Sequence, residues 1–268
     1  MNVDASGRDA ALSQAGFRGQ RQLPARGRWP DDVALWHVHV PAGPHAWARL
    51  APSLAPDERD RALRYRRDED RLRFAATRAA LRAQLGNVTG IPPLDLRFGH
   101  EPHGRPMLDG HPHLSFNVSH AGSHALIAIS AARRVGVDIE LLDPTLDWQP
   151  LVGLVCSDDE GVALARCNEE SLRRAAFLRC WTAKEALLKA LGLGIAEALR
   201  DLSVDPFSSG TQRPRVSADS VAQGVGALRF EWLDDIEGCA GCIAFSDDDG
   251  PVSRSQPVGQ SARQDSAA

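Results

Sequence analysis

The sequence lacks the features that would place it in a membrane, among disulfide-rich secreted proteins or among nucleic-acid-binding proteins. None of its apolar runs is long enough to span a bilayer, and the segment up to Trp29 has no apolar stretch of the kind a signal peptide needs. Its five cysteines are an odd and scattered set, which excludes a disulfide framework. A net charge of −4 gives no general attraction to nucleic acid or to anionic lipid. We therefore expect a cytoplasmic protein with no nucleic-acid and no membrane partner, in which any anion-binding site is local.

The segments that remain predict a folded chain with polar ends. We expect residues 1–30 to be a disordered N-terminal segment and residues 247–268 to be a disordered tail, because both are polar and poor in aromatic side chains. Between them, a strand, a long helical region and several short strands occur in residues 31–133 and again in residues 134–246. This weak internal repeat predicts an α+β fold of two similar halves that face each other across a cleft.

Most of the cysteines and loop histidines have ordinary structural interpretations. Cys239 and Cys242 form a single CxxC pair with no second pair to complete a zinc site, so we expect buried thiols in a strand rather than redox or metal chemistry. Four histidines occupy a segment rich in Gly and Pro, where no regular element fixes their geometry, and we expect them to be loop histidines; they are His100, His103, His111 and His113.

The long helix predicted from about Ser171 to Leu191 carries charges in an otherwise apolar segment. Since most of its circumference is apolar, the helix is expected to be largely buried, and buried charges need partners. Glu185 and Lys189 are four residues apart and share a face, while Lys184 lies about 100° away from Glu185. The pattern indicates either a site for metal and phosphate or a structural ion pair.

A strand with two acidic residues on one face follows from the alternation in Val135–Glu140. Asp138 and Glu140 share that face, about 6.5 to 7 Å apart along the strand, and Gly136 leaves space beside them. Two carboxylates in this arrangement repel each other unless a cation neutralises them, although a solvent-facing edge strand would also tolerate them. Together with Glu185 they form an all-oxygen set that suits Mg²⁺, with Mn²⁺ as a substitute, beside a pyrophosphate.

Three other polar residues are candidates for the same site. Ser119 and His120 end a predicted strand next to a turn, where side chains are held in place yet accessible, and Arg105 stands as a rigidly presented cation between Gly104 and Pro106. The arginines between Asp57 and Arg73 nearly balance the acids there, so most of them are expected on a solvated face, with one or two open as phosphate ligands.

Four motifs together resemble a known family, the Sfp-type 4′-phosphopantetheinyl transferases. They are Gly104-Arg-Pro106, Phe116-Asn-Val-Ser-His120, Gly136-Val-Asp-Ile-Glu140 and Trp181-Thr-Ala-Lys-Glu-Ala-Leu-Leu-Lys189. The resemblance covers roughly Val33 to Phe245. It implies a pseudo-two-fold arrangement of the halves, each with a long helix on a small, mainly antiparallel sheet. It also implies transfer of the phosphopantetheine arm of coenzyme A to a serine of an acyl or peptidyl carrier protein, with release of 3′,5′-ADP.

The resemblance also assigns roles to residues. Asp138, Glu140 and Glu185 would bind the metal, Glu185 would be the general base, and Lys189 would steady the pyrophosphate. The residues grouped as cofactor-binding are Arg61, Arg105, Ser119, His120, Lys184 and Lys189, although the direction of Lys184 leaves the coenzyme, the carrier and the fold open as its partner. Glu58 stands where the family often has a basic residue, which predicts a weaker grip on the 3′-phosphate or one shared with Arg105.

Two other functions compete with carrier modification. One is an inactive relative that binds coenzyme A or carrier domains without transfer, and the other is an unrelated Mg²⁺-dependent nucleotide hydrolase. The inactive relative is disfavoured because the acidic residues and Lys189 of the motifs are all present. The nucleotide hydrolase is disfavoured because it would not need the Phe116–His120 strand. We expect a monomer, since two halves in one chain form a cleft without a second copy. The sequence leaves the pathway of the carrier open.

Overall fold

The computed structural model describes residues 19–101, 104–193, 199–218, 220 and 222–247. Its strands are β1 (Gln20–Leu23), β2 (Ala34–His39), β3 (Phe98–His100), β4 (Pro106–Leu108), β5 (Ser115–Ala121), β6 (His124–Ser130), β7 (Val135–Leu141), β8 (Leu202–Ser203), β9 (Arg215–Val216), β10 (Leu228–Trp232) and β11 (Cys239–Ser246). Its α-helices are α1 (Ala46–Leu50), α2 (Pro56–Leu63), α3 (Asp68–Thr89), α4 (Val152–Val155), α5 (Asp158–Ala165) and α6 (Glu170–Leu191). In the described part of the chain, every helix is too short or too polar to span a bilayer.

Two antiparallel sheets form the centre of the fold. One has four strands in the order β1-β2-β6-β5, and the other has three strands in the order β10-β11-β7. Helix α3 covers the first sheet and helix α6 covers the second, and each helix–sheet pair encloses its own apolar core. A third apolar core lies between the two sheets. The structure is therefore mixed α and β, with a long helix on an antiparallel sheet in each part.

The two long helices end in the same way. Each is 22 residues long and is followed by a glycine in the left-handed conformation, Gly90 and Gly192, both with φ of 72°. Glycine adopts this conformation without the steric penalty of a side chain and so provides a favourable helix stop. The helix predicted to end at Gly192 is confirmed. The long helical region predicted within residues 31–133 is divided into α2 and α3.

Close contacts bring β7 against both β5 and α6. Side chains on alternate positions of β5 accept hydrogen bonds from the β7 backbone: Val135 N donates to Ser115 Oγ at 3.1 Å and Val137 N donates to Asn117 Oδ1 at 2.9 Å. On the other side, a Cβ atom at Gly136 would lie 2.1 Å from the Ala186 carbonyl oxygen. Only glycine permits this approach, so Gly136 sets the position of α6 over β7.

The prediction that residues 1–30 are disordered is wrong for the last part of this segment. Residues 1–18 lie outside the described residues, but Gln20–Leu23 pair with β2, and the side chains of Leu23 and Trp29 are buried in the core between the sheets. The segment is polar in composition, yet the free edge of β2 and two apolar anchors are enough to order it. His103 and residues 248–268 also lie outside the described residues. Cys239 and Cys242 are buried free thiols in β11, as predicted.

Candidate functional site

Four polar side chains from three elements meet where β5, β7 and α6 come together. Lys189 on α6 places its Nζ atom 2.5 Å from Asp138 Oδ1 on β7 and 3.2 Å from Glu185 Oε2 on its own helix. The Ser119 hydroxyl on β5 donates to Asp138 Oδ1 at 2.7 Å and lies 3.4 Å from Lys189 Nζ. The structure thus joins the two predicted motifs, the acidic strand and the charged helix, and adds the predicted strand end at Ser119.

Trp181 holds the carboxylate of Glu185 and was not identified as a site residue from the sequence. Its indole Nε1 donates to Glu185 Oε1 at 2.6 Å, while Glu185 Oε2 faces Lys189. The indole ring lies edge-on to Phe177, at 6.0 Å between ring centroids. Both oxygens of Glu185 are therefore oriented. The signal available in the sequence was the i,i+4 spacing, which places Trp181 one turn before Glu185.

Burial and mutual repulsion perturb the carboxyl groups of the site. Burial raises the pKa of Asp138 to about 6, against the lowering effect of Lys189, and Glu185 adds to the rise. Burial also raises the pKa of Glu140 to about 7, with further contributions from Asp138 and Glu185. Lys189 is itself desolvated, but the two carboxylates outweigh this effect and its pKa is raised. The site holds more negative charge than its single lysine neutralises.

The residues of this site fit a hard divalent cation. Asp138 Oδ2 is buried and has no hydrogen-bond partner among the described residues, and the three carboxyl groups offer only oxygen ligands. The ligand oxygens of Asp138, Glu140 and Glu185 do not all lie within 4.8 Å of one another, and Lys189 Nζ contacts both Asp138 Oδ1 and Glu185 Oε2. An ion bound to Asp138 Oδ1 or Glu185 Oε2 would compete with the Lys189 ammonium for these oxygens, whereas Asp138 Oδ2 is open to it.

We expect Mg²⁺ to raise the thermal midpoint of the protein more at about pH 8 than at about pH 5. Carboxyls whose pKa values are raised in the folded state destabilise it as the pH rises through those values, here about 6 and about 7, and a bound cation offsets this loss. At the lower pH the ion must first displace protons. Calorimetry with and without Mg²⁺ measures the difference. The double variant Asp138→Asn/Glu140→Gln should lose the increase at both pH values, and an equal increase at both in the wild type would contradict the expectation.

Lys184 does not belong to this site, and its predicted role in cofactor binding is wrong. The side chain is fully buried on another face of α6, where Nζ lies 2.5 Å from Glu160 Oε2 and donates to the Val155 carbonyl at 2.7 Å. Glu160 lies beside Cys156 and Cys180, the one group of three potential ligands in the described part of the chain whose ligand atoms all lie within 4.8 Å. The ammonium of Lys184 already supplies the positive charge there, so we interpret this cluster as a structural ion pair.

Arg105 is likewise not a free cation, which corrects the prediction that it grips a phosphate. Its guanidinium is buried and donates to acceptors on three elements. These are the carbonyls of Lys189 (3.3 Å) and Ala190 at the end of α6, Ser115 Oγ (2.7 Å) and the Phe116 carbonyl (3.4 Å) on β5, and the Val135 carbonyl (3.0 Å) on β7. Desolvation, together with the charge of Arg134, lowers the pKa of Arg105 to about 10. Arg105 therefore fastens the elements that carry the site.

The remaining predicted residues lie on the exposed side of the N-terminal part. Arg61 is exposed on α2, with its guanidinium carbon 5.0 Å from the centroid of the Phe74 ring. His120 reaches solvent at the end of β5; desolvation lowers its pKa, and the nearby charges of Arg73 and Lys189 lower it further. Arg73 thus belongs to the surroundings of the site, although the sequence did not separate it from the other arginines of its segment.

The negative charge of Glu58 does not reduce the positive charge that Arg61 and Arg73 present to solvent. Its carboxylate is buried, where it pairs with Arg78 at 2.5 Å and with Arg82 at 2.6 Å and accepts a hydrogen bond from Ala55 N. Because two guanidinium groups neutralise it, the acid standing at this position does not oppose an anion next to Arg61. This geometry therefore does not support the prediction that Glu58 weakens binding of the 3′-phosphate of coenzyme A.

Comparisons with known proteins agree with the motifs. The family model described as 4′-phosphopantetheinyl transferase superfamily matches residues 134–233, and the one described as 4′-phosphopantetheinyl transferase, N-terminal, matches residues 41–132. The chain is similar to the 4′-phosphopantetheinyl transferase HetI of Nostoc sp., with 37% identity over 170 residues, 62% of this chain and 71% of HetI. It is also similar to the protein slr0495 of Synechocystis sp., with 32% identity over 191 residues, 67% of this chain and 77% of slr0495. A solved holo-[acyl-carrier-protein] synthase from Neisseria meningitidis aligns with 42% of this chain and 97% of its own at 20% identity, with a TM-score of 0.31, too loosely for any comparison of residues.

Proposed function

The chain belongs to the 4′-phosphopantetheinyl transferase superfamily, and we propose that it transfers the 4′-phosphopantetheine arm of coenzyme A to a serine of an acyl or peptidyl carrier protein, releasing 3′,5′-ADP. The observation that carries the proposal is the convergence of Asp138, Glu185, Lys189 and Ser119 from three elements on one partly accessible spot. A hydrolase that acts on nucleotides would need neither this family relationship nor a protein substrate.

Asp138, Glu140 and Glu185 would hold Mg²⁺ or Mn²⁺ in this reaction. The unpartnered oxygen of Asp138 and the raised pKa values of Asp138 and Glu140 support this assignment. When bound, the ion supplies positive charge to the pyrophosphate of coenzyme A. Ser119 keeps Asp138 in place, since its hydroxyl donates to the oxygen that also faces Lys189.

Glu185 would take the proton of the attacking serine. As that proton passes to the Glu185 carboxylate, the serine oxygen bonds to the phosphorus that carries the pantetheine arm, and the bond from this phosphorus to the bridging oxygen of 3′,5′-ADP breaks. The bonding pair leaves with 3′,5′-ADP. Lys189 would face the phosphate oxygens, because its side chain is partly accessible, at 22%, and an anion can attract its ammonium away from Asp138.

The coenzyme would extend from this centre across the N-terminal part of the surface. His120, Arg73 and the exposed Arg61 supply a row of donors and positive charges on that side, which suits the phosphates of coenzyme A. Arg105 and Lys184 would act only through the fold, since buried partners occupy both side chains.

Trp181→Phe should lower kcat/KM for the carrier about tenfold, because a hydrogen bond to a charged group is worth about 1.5 to 3 kcal/mol and its loss frees Glu185 to rotate. Phenylalanine preserves the packing on Phe177, so stability should change little. Trp148→Phe is the matched control: Trp148 packs on the same Phe177 and donates to Glu170 instead. If both variants lose activity equally, the loss comes from packing and not from the bond to Glu185.

The proposal is tested by incubating the protein with coenzyme A, Mg²⁺ and a panel of apo acyl and peptidyl carrier proteins and weighing the carriers by mass spectrometry. A gain of one phosphopantetheine arm on the carrier serine is the expected result. No gain on any carrier, with coenzyme A still bound, would instead indicate an inactive relative.

We also propose that residues 31–133 and 134–246 are two halves related by a pseudo-two-fold axis, acting as a monomer in the cytoplasm. The equal lengths and equal glycine stops of α3 and α6 support the symmetry, and the boundary between the two matched family models falls at the same place. Five free cysteines suit a reducing compartment. Sedimentation at active concentrations would test the monomer, and a dimer would overturn it.

A further inference from the structure

Three histidines lie together on the sheet β1-β2-β6-β5, on the face that carries the core between the sheets. His37 and His39 are two residues apart on β2 and therefore share this face, and His124 on β6 pairs directly with His39 in the register. His37 is buried, His124 is half-buried and His39 is exposed, so the cluster runs from the edge of the core to solvent. None of the residues of the candidate functional site belongs to it.

The two inner rings share one hydrogen bond, and the distance between their nitrogens is one that a single ion can span. His37 Nε2 and His124 Nδ1 are 2.9 Å apart, and their rings stack with 5.2 Å between centroids. Two imidazole nitrogens bound to one transition metal at about 2.0 to 2.1 Å each lie about 2.9 to 3.4 Å apart, for angles from a right angle to tetrahedral. The observed spacing is within this range.

The ring of His39 is close to the other two but does not yet lie where a third ligand of the same ion would. His39 meets His124 edge-on, at 5.8 Å between centroids, and the ligand nitrogens of the three histidines do not all lie within 4.8 Å of one another. Because His39 is exposed, its side chain turns without displacing packed neighbours. A rotation of His39 toward His124 would therefore complete three ligands, with water in the remaining position.

We propose that His37, His39 and His124 form a binding site for a divalent transition metal of the zinc class, separate from the carboxylate site. Three imidazoles favour Zn²⁺, Co²⁺ or Ni²⁺ over Mg²⁺, which prefers oxygen ligands. Burial lowers the pKa values of His37 and His124, so both rings are neutral near pH 7 and have lone pairs available. The ring that donates the hydrogen bond would carry its proton on its other nitrogen instead, and the ion would lie to one side of the line between the two facing nitrogens, at about 2.0 to 2.1 Å from each.

One nearby charge opposes the cation. Arg21 is the register partner of His37 on β1, and its positive charge contributes to the lowered pKa of His37. Its guanidinium donates to the Asp235 carbonyl at 2.9 Å and so is held by the loop after β10. The ion would tie β2 to β6, and its effect is expected on the stability of the N-terminal part.

The test is a titration of the full chain with Co²⁺ at about pH 7.5 in excess Mg²⁺, which keeps the carboxylate site filled. We expect one equivalent to bind, with visible ligand-field bands but without the thiolate charge-transfer absorption that binding by Cys156 and Cys180 would give, and we expect Zn²⁺ to displace it. His124→Ala should weaken binding by more than about tenfold, and His39→Ala should do the same. His45→Ala, an exposed histidine outside the cluster, is the matched control and should bind as the wild type does.

The results distinguish binding by the three histidines from binding elsewhere on the chain. Failure of the wild type to bind Co²⁺ in excess Mg²⁺ would overturn the proposal, and so would binding that survives both His39→Ala and His124→Ala. Neither substitution removes a fully buried side chain, so both variants should fold, and a thermal midpoint measured without metal checks this. A rise of the midpoint on adding Zn²⁺, present in the wild type and absent from His124→Ala, would support the site independently of carrier modification.

Discussion

Glu185→Gln should lower the rate of carrier modification by about a thousandfold while largely sparing coenzyme A binding. General base catalysis is worth about 10² to 10⁴ in rate, and an amide has no basic oxygen to accept the serine proton. The substitution keeps the shape of the side chain and an oxygen to accept the Trp181 indole hydrogen bond, so the local packing should persist. Asp138 and Glu140 keep their charges. Mass spectrometry of the carrier measures turnover, and calorimetry measures coenzyme A binding.

Glu170→Gln provides the matched control for that variant. Glu170 begins the same helix and also accepts a hydrogen bond from a tryptophan indole, Trp148 Nε1 at 3.0 Å, but it lies away from Asp138 and Lys189. Its substitution should leave turnover within about twofold, as expected for a residue that touches no substrate. If Glu185→Gln turned over as fast as Glu170→Gln, Glu185 would not be the base. If Glu185→Gln lost coenzyme binding as well as turnover, its main role would be in binding.

Arg105→Met should lower the free energy of unfolding by about 4 kcal/mol, because several buried acceptors lose a charged donor at once and each such hydrogen bond is worth about 1.5 to 3 kcal/mol. For a chain of this size the thermal midpoint should fall by about 8 to 16 °C. Methionine fills part of the volume, so the loss reports the hydrogen bonds more than a cavity. Differential scanning calorimetry and urea unfolding both measure the effect.

Arg61→Met distinguishes a structural arginine from one that binds the coenzyme. Arg61 is exposed, so its substitution should leave the thermal midpoint nearly unchanged while raising KM for coenzyme A. Arg105→Met should show the opposite combination. A stable Arg105→Met protein with a selectively raised KM would restore the role that the family resemblance assigns to Arg105.

Local periodicity explains why much of the carboxylate site was predictable. The alternation of Val135–Glu140 places Asp138 and Glu140 on one face of a strand, and a four-residue spacing places Glu185 and Lys189 on one face of a helix. Gly136 sits directly under α6, which brings the two predicted faces together. The family resemblance added the order of the motifs, and the comparisons agree with that family.

The roles of Arg105 and Lys184 were decided only by the tertiary structure. Both are cations within or next to a motif, and the chain around them does not reveal which distant group each one meets. Lys184 pairs with Glu160, 24 residues earlier, and Arg105 reaches the carbonyl of Val135, 30 residues later. Hydrogen-bond partners at such separations depend on how the sheets and α6 pack, whereas strand and helix faces depend only on neighbouring residues. Composition and spacing therefore determine which residues carry charge on a common face, and packing determines which of those charges remain open to a substrate.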